Sequence, residues 1–435
     1  MHLNSSQKRQ RVLMMVFGAF AIFFTGYPHI WSVYQPYIRE LTGWTEGQTS
    51  MCFYLSMLTF VFGNIFGGHI QDKYNPKIAI AAGGGIFAAG ILLSAFLIIP
   101  SPLPMYFTYG VMQGFGQGMM YTTILSTAQK WFPGKLGFAS GVVVTANGLC
   151  GFFLAPVSRV ILADGGPKTA FLVIGCVIAL SWVFGCIFIK NPRQAGVKEA
   201  DHPGWAANRT PALPEQKQYT SKEMIRTRKF YYLVATMLFG LISYFMISPV
   251  AQGIQTERGI AVSIAVSAVM FGSVMNASAR LFLPSIADKI GRVKCVKGVL
   301  VASVMAMVML VVSKSMFTSI TTVAVVMMYG CYGGIMGSFP SLTSSIFGLS
   351  HSGENYGFVM SGIVIATLLA PFVANLITAT GFDTNMGFVV GIICAALSVV
   401  FILLIERELS DKRSGINLED RKEKKPAGII TAKEL

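Results

Sequence analysis

Apolar stretches long enough to cross a lipid bilayer recur along almost the whole 435-residue chain. A bilayer core admits only segments that satisfy their own backbone hydrogen bonds, which restricts them to helices or closed barrels. Twelve stretches fall at 12–36, 48–70, 77–99, 104–127, 138–162, 168–189, 230–252, 261–286, 295–313, 318–342, 357–380 and 385–405. Each is close to or above the roughly 20 residues of a spanning helix, and about twice the length of a barrel strand. The expected fold class is therefore an all-α membrane protein of twelve transmembrane helices. Composition agrees: only 12% of residues are charged and 53% are hydrophobic, against about a quarter charged in soluble domains. The first stretch is too long for the apolar region of a cleavable signal peptide and carries no small-residue cleavage site.

The net charge of +15 raises nucleic acid as a partner, and the placement of the charges excludes it. With the N-terminus inside, 28 of the 34 Lys and Arg fall in inward-facing segments, whereas only Arg39, Arg159, Lys168, Arg258 and Lys314 fall outside. This is the positive-inside asymmetry of a membrane protein, and it makes both termini cytoplasmic. The seven cysteines are odd in number, show no CxxC spacing and read as small packing residues. Asn208-Arg209-Thr210 matches a glycosylation acceptor, but it sits in an inward-facing loop and reads as a chance match.

The chain also repeats itself weakly. "GGHIQDKYNPK" ends the second stretch and "LPSIADKIGRVK" the eighth, which places Asp72 and Asp288 at matching positions 216 residues apart. "YGVMQGFGQGMMY" and "YGCYGGIMGSFPS" align Tyr109-Gly110 with Tyr329-Gly330 in the same way. We expect a six-helix bundle over 1–190, a cytoplasmic linker over 191–229, a second bundle over 230–410 and a tail over 411–435. Two halves related like this place a substrate near the midplane and rock around it. Gly110, Gly114 and Gly118 form successive GxxxG spacings that allow close backbone approach; no strand precedes them and no GK[ST] follows, so they are no phosphate loop.

Asp72-Lys73, and more fully Asp288-Lys289-Ile290-Gly291-Arg292, resemble the loop motif of the major facilitator superfamily, although Asn75 and Pro76 replace the expected glycine and basic residue in the first copy. "KWFPGKLGFASG", "FPSL", "SIFGL", "NYGF" and "YTSKEMIRTRKF" are similar to the oxalate:formate antiporter and pyruvate-transporter branch of the monocarboxylate porter family, over nearly the whole chain. The fold expected from this resemblance is two pseudo-symmetric six-helix bundles.

One fully charged residue lies deep within a stretch. Arg280 precedes Asp288 by eight residues, about 12 Å along a helix. A cation at that depth costs at least about 2.5 kcal/mol and faces a cavity or a partner. No Asp or Glu lies at comparable depth to receive it, so we expect it to bind a substrate anion, for which a planar guanidinium offers a bidentate fork. The substrate-binding arginine of the resembling family falls on the same position. The internal repeat pairs Arg280 with Asn64, so one half offers charge and the other at most a neutral amide. Ser273, Asn276 and Arg280 share one helix face by their three- and four-residue spacing. In the animal monocarboxylate relatives an aspartate linked to proton coupling occupies the place of Asn276, which puts proton symport by that route in doubt. The resemblance also implies that Tyr121 and Tyr332 line the substrate cage, that Met336 and Met360 replace aromatics there, and that Ile363 stands where the oxalate carrier has a second, lysine cation. A second carboxylate would then be desolvated without a partner, which favours a monocarboxylate over oxalate. His29, in "GYPHIWSVY", takes the place of a pore-facing aromatic; packing at a rim is as compatible with it as a substrate or proton role.

The expected function is a secondary active transporter of a small monocarboxylate such as pyruvate, lactate or formate, with anion exchange favoured. The alternatives are proton-coupled symport and oxalate or dicarboxylate exchange. A multidrug exporter is disfavoured because no intramembrane acid is available for a cationic drug. A receptor or channel lacks a sensor domain here. No His/Asp/Glu cluster or activated nucleophile supports an enzyme, and we expect neither cofactor nor metal. The expected partners are a small organic anion and the lipid bilayer, with a monomer in a bacterial inner membrane.

Overall fold

The computed structural model describes residues 3–197, 217–248, 251–313, 319–379 and 384–423. The Asn208-Arg209-Thr210 triplet, Lys314, residues 198–216 of the linker and the tail beyond 423 lie outside them. Twelve spanning helices follow one another: α1 (Ser5–Thr42), α2 (Glu46–Lys73), α3 (Pro76–Ser94), α4 (103–131), α5 (136–165), α6 (167–188), α7 (Arg228–Ile247), α8 (Val262–Ile290), α9 (Arg292–Val312), α10 (Ser319–Phe347), α11 (352–379) and α12 (Thr384–Glu423). The last runs past the expected boundary at 410.

By length and composition alone, ten helices among the described residues qualify to cross a membrane. Helices α5 and α6 run together over Leu136–Phe188 and part only at Gly166, whose φ of 69° and ψ of 179° are non-helical. The following Pro167 has no N–H to lose and starts the new helix. Helix α4 is assembled from Leu103–Met105, a π-helical stretch Tyr106–Gln113 and Gly114–Trp131, each short by itself. Helix α1 narrows to a 3-10 turn at Tyr27–Ile30, where Pro28 removes a backbone donor.

The GxxxG glycines hold α4 against α2. A Cβ at Gly110, Gly114 or Gly118 would meet Leu55, Ser56 and Thr59, or the Phe60 carbonyl, turn by turn along α2. Between the halves, α2 packs against α11 and α8 against α5. These two contacts carry matching latches on the face that bears the chain ends. Asp72, closing α2, accepts the backbone N–H of Glu354 at the start of α11 (3.1 Å) and the Lys130 ammonium (2.6 Å). Asp288, closing α8, accepts the backbone N–H groups of Gly137 (3.0 Å) and Phe138 (3.1 Å) at the start of α5, and Arg292 Nη2 (2.7 Å). Each carboxylate thus sits at the positive end of a helix belonging to the other half. Gly291 adopts a φ of 100° between α8 and α9, which a side chain would resist. The first motif copy needs no such residue: Asn75 is extended (φ −162°), its Oδ1 caps Lys77 N, and Pro76 opens α3. Lys73 lies over the Tyr74 ring. Further bonds seal this face, from Ser126 to Ser352 (2.7 Å) and from Ser344 to Gln129 Oε1 (2.6 Å).

Candidate functional site

A cavity of about 690 Å³ lies between the halves, lined from α1, α2, α4 and α5 on one side and α7, α8, α10 and α11 on the other. The Asp72 and Asp288 latches close it toward the face of the chain ends.

Arg280 lines it, only 3% exposed. Its Nε donates to Asn276 Oδ1 (2.9 Å), one turn back on α8, and its Nη1 to the carbonyl of Val144 on α5 (3.4 Å). The guanidinium carbon lies 5.2 Å from the centre of the Tyr332 ring, which itself stacks on Tyr244 of α7 at 4.0 Å and 6°. On the α5 side the cation rests against Gly148, where a Cβ would come within 2.8 Å of Nη1. Among the described residues no carboxylate pairs with it: the ion pairs there are His69–Glu354, Lys130–Asp72, Lys217–Glu223, Arg292–Asp288 and Lys297–Glu406. The guanidinium is thus oriented by neutral groups and an aromatic face, with its charge left uncompensated.

Of the residues proposed from sequence, His29, Tyr121, Asn276, Arg280 and Tyr332 all border this cavity, together with Ser273, Met336, Met360 and Ile363. His29 is the exposed member of an otherwise buried turn. Tyr121 is buried and meets Phe60 edge-on. Asn64 is the exception. It is fully buried, its Nδ2 donates to the Phe60 carbonyl (2.7 Å) within its own helix, and its backbone lies where α2 meets Gly118 of α4 and Gly357 of α11. The repeat that pairs it with Arg280 matches depth along the helix but not the direction of the side chain, so Asn64 is a packing residue at a helix crossing.

Two amides missed in the sequence also line the cavity, Gln117 of α4 and Asn147 of α5. Their signal was an amide within a largely apolar stretch, like that of Asn276 but without a charged neighbour. Lys130 and Glu354, which complete the first latch, lie beyond the motif that marks Asp72. No group of three or more His, Cys, Asp or Glu able to hold a metal occurs among the described residues, and all seven cysteines are free thiols.

A model of the Major Facilitator Superfamily matches residues 14–359. An oxalate:formate antiporter of Oxalobacter formigenes is 26% identical over 370 residues, 84% of this chain and 84% of that protein. An uncharacterized MFS-type transporter of Escherichia coli, YhjX, is 26% identical over 369 residues, 84% and 87% of the two chains. Human monocarboxylate transporter 12 is 26% identical over 195 residues, 44% and 34%. Among solved structures, the transporter FucP in its outward conformation superposes with a TM-score of 0.67 at 13% identity, covering 91% of this chain and 99% of that one.

Proposed function

Because the chain belongs to the Major Facilitator Superfamily, and so is a multi-pass membrane transporter and not an enzyme, we propose that it moves a small monocarboxylate by alternating access, with Arg280 as the anion-binding group. The observation that carries this reading is the buried guanidinium in a cavity between two helix bundles, with no carboxylate among the described residues paired to it. A bound carboxylate supplies the missing charge bidentately. The relatives support an organic anion, since one is an oxalate:formate antiporter and another a monocarboxylate transporter. A single fixed cation among the described lining residues, with the apolar Ile363 also in that lining, suits one carboxylate better than two. The bundles occupy 1–190 and 230–410, and the excess of Lys and Arg near the chain ends makes that face cytoplasmic, in a bacterial inner membrane. The closed latches then make this the outward-facing arrangement.

Exchange follows from the same charge. An empty carrier must carry a bare cation through an occluded state at a cost of several kcal/mol, whereas a bound monocarboxylate cancels it, so the loaded form reorients faster. A second reading, proton symport, draws on His29, whose imidazole faces the cavity and can accept a proton. The deciding experiment is uptake of labelled substrate into proteoliposomes preloaded with unlabelled monocarboxylate or with buffer. Exchange predicts strong stimulation by preloading, lost in Arg280→Gln and severely reduced in Arg280→Lys. Wild-type turnover in Arg280→Gln overturns the site. Equal accumulation in empty vesicles under a proton gradient, abolished by His29→Ala, overturns exchange in favour of symport.

A further inference from the structure

The orientation of the Asn147 amide is fixed by its neighbour. Thr25 Oγ1 donates its only proton to the carbonyl of Ile22 (2.6 Å), so toward Asn147, 3.0 Å away, it can only accept. The group facing it is therefore Nδ2, and Oδ1, an acceptor, is turned away from Thr25. No described residue donates to that oxygen. Asn147 borders the cavity, and on α5 it lies three residues after Val144 and next to Gly148, both of which touch the Arg280 guanidinium. An acceptor thus stands within about one helical turn of the fork. The other lining amide is already committed, because Gln117 Nε2 donates to the Thr25 carbonyl (2.5 Å) and its oxygen accepts from Gln113 Nε2 (3.0 Å). On the opposite side Asn276 spends its oxygen on Arg280 Nε and keeps its NH2 as a donor beside the fork.

The site is therefore coded by polarity, with donors on α8 for a carboxylate and a lone acceptor on α5 for a proton-bearing group. An ammonium would place a second cation beside Arg280, where no carboxylate among the described residues compensates it. A hydroxyl satisfies the acceptor without charge. Resting on the reading of Arg280 as the anion site, we propose that the preferred substrate is a 2-hydroxy monocarboxylate, its carboxylate on Arg280 and its hydroxyl donating to Asn147 Oδ1. A keto acid or an unsubstituted acid binds the same fork but strips water from Oδ1 and returns no donor, and sites built to hydrogen-bond a substrate group discriminate most strongly against its absence.

The test uses three-carbon acids that differ at C2: lactate, pyruvate and propionate compete for counterflow of labelled lactate in proteoliposomes, with ligand-induced thermal shifts of the purified carrier as the second readout. Lactate is expected to bind about tenfold more tightly than the other two, and the preference to fall to about twofold in Asn147→Ala with propionate affinity little changed. Equal affinities in the wild type overturn the hydroxyl assignment while leaving Arg280 in place, as does a folded Asn147→Ala that keeps the full preference. If Asn147→Ala does not fold, the wild-type ratio and Asn147→Ser, which retains an acceptor and should retain part of the preference, decide. If none of the three acids competes or shifts the carrier, the anion-site reading itself fails.

Discussion

Arg280 can lie against α5 because position 148 is glycine. In Gly148→Ala the new methyl comes within 2.8 Å of Nη1, and the far end of a flexible side chain gives way before the backbone does. We therefore expect the Tm to hold or rise, since alanine favours a helix by about 0.5–1 kcal/mol over glycine, while counterflow falls at least about tenfold. Stability and transport measured on the same preparation separate the two effects. Ile363→Lys places a second cation in the cavity that Arg280 lines and is expected to shift preference toward oxalate; an unchanged oxalate-to-monocarboxylate ratio in a folded variant would show that α11 does not reach the substrate. Arg280 was legible in the sequence because a charge in an apolar stretch has few physical excuses. Asn64 was misread and Asn147 overlooked for one reason: a neutral amide announces neither its direction nor its partner, and both depend on which helix lies across from it.

Among the elements, α4 shows how far pattern alone reaches. Its glycine spacing was readable, and the contacts with α2 follow from it, but the π-helical stretch Tyr106–Gln113 leaves no period in the sequence. The joint between α5 and α6 was readable as the gap between the apolar stretches 138–162 and 168–189, whereas by length alone the two helices merge. The close crossing makes a sharp prediction. Gly118→Val drives a branched side chain into the Phe60 carbonyl and should cost the fold about 1–3 kcal/mol or more, read as lost monodisperse protein in detergent. Gly134→Ala, which meets nothing within 4 Å, is the control and should behave as wild type.

At the scale of the molecule the latches are alike in design and unequal in burial. Asp72 and Lys130 have side-chain exposures of only 2% and 8%, against 12% and 23% for Asp288 and Arg292. Asp72→Asn removes the carboxylate paired with the buried Lys130 ammonium and should destabilise the protein by about 3 kcal/mol. Asp288→Asn should fold normally but lose part of the attraction to the start of α5, about 0.3–1 kcal/mol, and so favour the arrangement open toward the chain ends by up to about fivefold. Thiol labelling of single cysteines placed beneath the latch would register the change.

Among the described residues each aspartate finds its countercharge within its own half, Lys130 for Asp72 and Arg292 for Asp288, and reaches the other half through peptide N–H groups. When the latches part, these two ion pairs travel intact and the two carboxylates surrender neutral donors, while beside the first latch the half-exposed His69 pairs across the halves with Glu354 (3.3 Å). Dissolved electrolyte therefore has little purchase on these two latches. Between about 0.01 and 1 M salt, a tenfold change in Debye length, the exchange rate of His69→Gln, which removes the one described crossing pair at the first latch, should stay nearly flat at saturating substrate, whereas a gate of crossed ion pairs would loosen steeply.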